Sequence, residues 1–158
     1  MSVERETSSV TLEELEALLE LRRVFFFESS SRRWNSGIGD KEAPPINIIN
    51  DLQVMQTVDE KSISVRGRMT IKTPQAILIA DTVAVFSIKE DDDNESLDNE
   101  AIDFSDDLMQ EFAEKIAVPI LYPFIRESIY DGARKIGAKP PMLDILRSGN
   151  ISLKKTEP

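Results

Sequence analysis

Within residues 108–125 the large side chains Leu108, Met109, Phe112, Ile116, Ile120, Phe124 and Ile125 recur at the three- and four-residue steps of an α-helix, and Pro119 and Pro123 stand among them. A proline inside a helix deletes a backbone donor and crowds the carbonyl four residues back, so a helix with two of them is expected to kink or restart at each. Ser105-Asp106-Asp107 supplies an N-cap and acids suited to the helix dipole, and Gly137 with Pro140-Pro141 supplies the stop. Met142-Leu143-Asp144-Ile145-Leu146 then reads as a short last helix before the turn at Ser148-Gly149-Asn150 and a tail.

Upstream the period changes from helical to two. Ile46, Ile48, Leu52 and Val54 fall on alternate positions, as do Ile63, Val65, Met69 and Ile71, and the polar segment Val58-Asp59-Glu60-Lys61-Ser62 between them predicts a hairpin. Thr73-Pro74-Gln75 breaks the second run, and Ala76–Ile88 forms a third with Ile77, Ile79, Val83 and Val85 on one face. Val24-Phe25-Phe26-Phe27 adds a fourth strand. Before it, Thr11 with Glu14 forms a capping box for a helix carrying Leu12, Leu15, Leu18 and Leu19, expected to reach about Leu21. Residues 29–45 read as a long surface connection with Trp34 and Ile38 as isolated apolar residues. The class is α+β: a four-stranded antiparallel sheet packed with a long Pro-kinked helix and a short C-terminal helix.

At 158 residues, 41% apolar and 30% charged, the chain suits one globular domain, with residues 1–10 and 152–158 as flexible ends and 90–104 as an acidic loop. It has no cysteine and no histidine, which removes thiolate and imidazole metal sites, Ser-His and Cys-His nucleophiles and histidine acid–base chemistry. Gly37-Ile38-Gly39-Asp40 and Gly132 lack the spacing of a phosphate loop, and the acidic stretch 90–107 lacks the glycine of a calcium loop. The carboxylates Asp51 and Asp81 are the remaining enzyme candidates, and surface strands explain them without chemistry. No catalytic residue, cofactor or metal is therefore assigned. A net charge of −10 disfavours nucleic acid and favours solubility and partners bearing basic segments. Met1-Ser2-Val3-Glu4-Arg5-Glu6 lacks the pattern of a signal peptide and no stretch is long enough to span a bilayer, so a cytoplasmic address without membrane insertion is expected.

The residues most specific to this chain are Leu121-Tyr122-Pro123-Phe124-Ile125-Arg126-Glu127, followed by Pro140-Pro141-Met142. This pairing resembles the signature of the SecB protein-export chaperones, a Leu-Phe-Pro-Tyr-Ala-Arg-Glu-like stretch and then a Pro-Pro-Leu-like turn into a shorter helix. The likeness is close over residues 120–146, and the order of elements agrees from about Arg22 onward. The wording, with Tyr130-Asp131 soon after, looks closer to the SecB-like chaperones attached to toxin-antitoxin systems.

The resemblance implies a homotetramer, built as a dimer of dimers, that binds unfolded or aggregation-prone polypeptides without ATP, either precursor proteins for export or an antitoxin. By position, the family's client groove would be lined by Trp34, Ile38 and Ile46 from the loop and by Leu143, Ile145 and Leu146 from the last helix. The competing account is that these residues pack on one another as core. In the strand that export chaperones use to dock the SecA motor, Glu28 is the one acidic match, and SecA is the further partner the resemblance implies. The leucine-rich first helix and the acidic loop look like additions. The alternative to a chaperone is an assembly subunit that uses the same fold to bind one folded partner.

Overall fold

The computed structural model describes residues 10–33, 49–59, 61–89 and 105–143. Helix α1 (Leu12–Leu18) leads directly into strand β1 (Leu19–Arg33), followed by β2 (Ile49–Val58), β3 (Ser62–Lys72) and β4 (Ala76–Ile88). Helix α2 (Asp106–Phe112), a π-helical turn (Ala113–Ala117) and helix α3 (Val118–Lys135) then run on without a break. The four strands form one antiparallel sheet in the order β1-β4-β3-β2.

Local chemistry explains the element boundaries. Thr11 and Glu14 form the expected reciprocal cap, with the Glu14 amide 3.2 Å from Thr11 Oγ1 and the Thr11 amide 3.0 Å from Glu14 Oε2. Asp59 ties the β2–β3 turn by accepting from the amides of Lys61 and Ser62 at 2.9 and 2.8 Å. Thr73 Oγ1 does the same for Gln75 and Ala76 between β3 and β4.

Two boundaries differ from expectation. The first helix stops at Leu18 rather than near Leu21, and β1 continues through Ser29-Ser30-Ser31 to Arg33, residues whose composition reads as loop. The serines are strand because they pair with β4, Ser29 opposite Ala80 and Ser31 opposite Leu78, and their small side chains let α3 lie close. Ser29 and Ser128 hydroxyls are 2.8 Å apart, and a methyl on Gly132 would stand 2.5 Å from Ser31 Oγ.

The prolines also act unequally. Pro119 sits in the first turn of α3, just after the π-helical turn in which the Val118 amide reaches back five residues to the Ala113 carbonyl. That wider turn absorbs the donor Pro119 lacks. At Pro123 α3 continues uninterrupted, so the second expected restart does not occur; Pro123 is exposed, which leaves the carbonyl it fails to bond open to water.

The helices cover one face of the sheet. Ile63, Val65, Met69 and Ile71 of β3 and Ala76, Leu78, Ala80, Ala84 and Phe86 of β4 are buried there with Phe112, Leu121, Ile125, Ile129 and Ala133. Full burial of each leucine- or isoleucine-sized side chain stabilises by about 2 kcal/mol. Phe86 and Phe112 meet edge to face at 5.0 Å. The covered face of β4 is thus its alanine-rich one, and Ile77, Ile79, Val83 and Val85 line the other face of the sheet, which no described helix covers. Alanines bring helix and sheet together where larger residues would hold them apart.

Candidate functional site

The signature residues divide between the two sides of α3. Leu121, Ile125 and Ile129 point into the core, Tyr122 stands at the border between core and groove, and Pro119, Pro123, Arg126, Glu127, Tyr130 and Arg134 follow the three- and four-residue steps that place them on the groove side of the helix. Facing them is Pro140-Pro141-Met142, and the space between is a groove of about 720 Å³.

The far wall is held in place at several points. After Lys135 the chain turns at Gly137, whose φ of 64° only glycine adopts without strain, and the Ala138 amide returns to the Ala133 carbonyl at 2.9 Å. Arg33 of β1 donates from Nη1 to the carbonyls of Ile136 and Gly137 at 2.9 and 3.0 Å, capping the helix end. The Lys139 amide donates to Gln75 Oε1 at 3.1 Å. The prolines then fix the backbone, and the Leu143 amide donates to the Tyr130 hydroxyl at 3.2 Å. Arg126 Nε donates to that same hydroxyl at 3.3 Å, with its guanidinium 5.3 Å from the Tyr130 ring centre. The bond to Tyr130 stabilises the charged form of Arg126.

This arrangement suits binding. Proline and tyrosine faces give rigid apolar walls, Arg126 and Glu127 give polar handles, and Met142, 93% exposed, stands at the rim with a flexible side chain. Beside the groove, Phe124 is exposed on α3, and Leu21 and Phe26 are exposed on the same side of the sheet.

Of the residues assigned from sequence, Leu143 is 7% exposed and packs in the core, so its side chain does not line this groove. Trp34, Ile38, Ile46, Ile145 and Leu146 lie outside the described residues. Glu28 accepts from Arg68 at 2.8 Å and from Ser30 at 3.0 Å. Tyr130, Pro119 and Arg134 were not singled out as site residues, although Tyr130 stands one helical turn beyond Arg126 and that spacing carries the signal. Asp81, weighed as a catalytic acid, is fully buried between Arg66 and Arg68, whose hydrogen bonds hold its carboxyl below the usual range. Among the described residues, no group of three acids is placed to hold a metal, and no helix is long and apolar enough to cross a membrane.

No family model matches the chain. It is 27% identical over 146 residues to the SecB-like chaperone SmegB of Mycolicibacterium smegmatis, covering 90% of this chain and 88% of that protein. Its fold matches the SecB-like chaperone of Mycobacterium tuberculosis solved in complex with a ChAD peptide from the HigA1 antitoxin, with a TM-score of 0.62, 17% identity and coverage of 85% of this chain and 92% of that one. The sequence likeness and the shared fold together support a SecB-like assignment.

Proposed function

We propose that this SecB-like chain is a molecular chaperone that holds non-native polypeptides without ATP and without enzymatic activity, and that an antitoxin is its principal client. The observation that carries the reading is the groove between α3 and Pro140-Pro141-Met142, built from the signature residues themselves and rigid at both walls. An extended segment entering it would set apolar side chains against Pro119, Tyr122 and Pro123 and a polar group against Arg126. Trp34, Ile38, Ile46, Ile145 and Leu146 would extend the same surface. The solved relative bound to an antitoxin peptide supports this client over precursor proteins. Glu28, the SecA-docking match, accepts from Arg68 while its side chain stays 39% exposed.

Self-association belongs to the same reading. Leu21, Phe26 and Phe124 are 43%, 41% and 40% exposed beside β1, an edge strand with one side unpaired in the sheet. A second copy would cover both the apolar side chains and the open backbone groups, and a dimer of such dimers gives the tetramer. The cytoplasm is the compartment we assign.

The test is dilution of a denatured client, and separately of an antitoxin encoded beside the chaperone gene, into buffer with and without the purified protein. Suppressed light scattering at stoichiometric tetramer is expected. Binding confined to one native folded partner, with unfolded chains left to aggregate, would select the assembly-subunit reading instead.

A further inference from the structure

Met142 is held out of the fold by its neighbours. In the segment that forms the far wall of the α3 groove, Pro141 and Leu143 are buried and Met142 between them is 93% exposed. The backbone there is fixed: the Leu143 amide donates to the Tyr130 hydroxyl at 3.2 Å, the Leu143 side chain packs in the core, and two prolines precede Met142. Turning Met142 inward would pull Leu143 out. The free chain therefore gains almost no burial from this side chain, whereas a segment entering the groove would cover it.

Exposure also governs the chemistry of the sulfur. A thioether presents a lone pair to any peroxide that reaches it, and the product is a sulfoxide. The chain has no cysteine, so no thiolate competes for the oxidant. Among the described methionines, Met69 and Met109 are 5% and 8% exposed and lie in the core. Met55 is 58% exposed, but it pairs with Arg66 on the sheet face turned away from α3. Met142 thus combines the most open sulfur of this set with a place in the groove.

We infer that Met142 is an oxidative modification site whose sulfoxide weakens client binding in the α3 groove, an inference that rests on the chaperone reading of that groove. The oxidant is a hydroperoxide, hydrogen peroxide in the simplest case. The sulfur lone pair attacks one peroxide oxygen and the O–O bond breaks. The sulfur loses two electrons and the peroxide gains them. The departing hydroxide takes the proton of the transferred oxygen and leaves as water. A flexible apolar contact becomes a dipole that must shed its water before a client covers it, and the groove loses grip.

The experiment treats the full-length protein with graded hydrogen peroxide, removes the oxidant, and then adds fluorescein-labelled, reduced and carboxymethylated lactalbumin as a permanently unfolded client. Mass spectrometry of proteolytic fragments follows each methionine, and anisotropy follows binding. Met142 is expected to convert before Met55 while Met69 and Met109 stay reduced, and affinity to fall at least about threefold in step with Met142. Methionine sulfoxide reductase should restore it. M142L, compared with its own untreated sample, should lose nothing on oxidation, and M142Q should bind as weakly as the oxidised protein, both with an unchanged circular dichroism spectrum. M55L should lose affinity as the unsubstituted protein does. A loss in oxidised M142L, or full affinity in protein whose Met142 is oxidised, would overturn the inference and leave the chaperone reading standing. No binding by the untreated protein would overturn that reading and this inference with it.

Discussion

The hydroxyl of Tyr130 accepts the backbone N–H of Leu143 at 3.2 Å and thereby fastens the segment after α3 to the helix it has just left. Arg126 donates to the same oxygen, so one side chain joins the signature in the helix to the double proline thirteen residues beyond Tyr122-Pro123-Phe124-Ile125-Arg126-Glu127. Tyr130→Phe keeps the ring and deletes the acceptor. We expect a loss of about 1 kcal/mol, faster amide exchange at Leu143 than at Ala133, and weaker client retention by a still folded protein. Unchanged exchange at Leu143 would show that the prolines alone hold the wall.

Asp81 gives a prediction in pH. Its Oδ1 accepts from Arg66 Nε at 2.7 Å, and its Oδ2 accepts from Arg66 Nη2 at 2.6 Å and Arg68 Nη1 at 2.8 Å. The folded carboxyl therefore titrates below its unfolded value of about 3.9, and between the two values the unfolded chain binds more protons. The stabilisation is present above about pH 4 and is lost as pH falls through the folded value. Asp81→Asn should cost about 2–3 kcal/mol at pH 7, less than a fully buried pair because the arginines stay 36% and 33% exposed and keep some water. The difference in urea midpoint between variant and wild type should be full at neutral pH and shrink progressively as pH falls below about 4; a constant offset would reject the linkage.

At Gly132 α3 passes close to Ser31 of β1. Gly132→Ala should be nearly neutral, because better helix propensity offsets a rotation of the Ser31 hydroxyl. Gly132→Val adds branches that Ser31 Cβ, 3.4 Å from the new Cβ, has no room for, and should cost about 1–3 kcal/mol in thermal or urea unfolding. Equal stability of the two variants would mean that the helix lifts away from the strand at little cost.

Phe26 and Phe124 test self-association. The double variant Phe26→Ser, Phe124→Ser removes exposed apolar surface from strand and helix without touching the core. Light scattering should report a smaller assembly with an unchanged circular dichroism spectrum. An oligomer of unaltered mass would place the interface elsewhere.

The element types, the antiparallel hairpins and the helix stop at Gly137 follow from the sequence because each depends on neighbours a few residues away: periodicity, caps and turn chemistry. The same holds for the signature itself, and for the absence of histidine and cysteine, which needs no structure at all. What the sequence left open depends on distant partners. Alternation in Ala76–Ile88 defines two faces, but only the packing of α3 decides that Ala76, Leu78, Ala80, Ala84 and Phe86 are the covered set. Ser29-Ser30-Ser31 is a strand only because β4 lies beside it. Asp81 reads as a solvated acid until the register sets it opposite Arg68 and within reach of Arg66, and Leu143 reads as groove or core with equal ease until Tyr130 fixes its backbone. Local chemistry chose the pieces, and contacts between residues far apart in the chain, whose free energy exists only once the pieces meet, decided which of their faces became core and which became site.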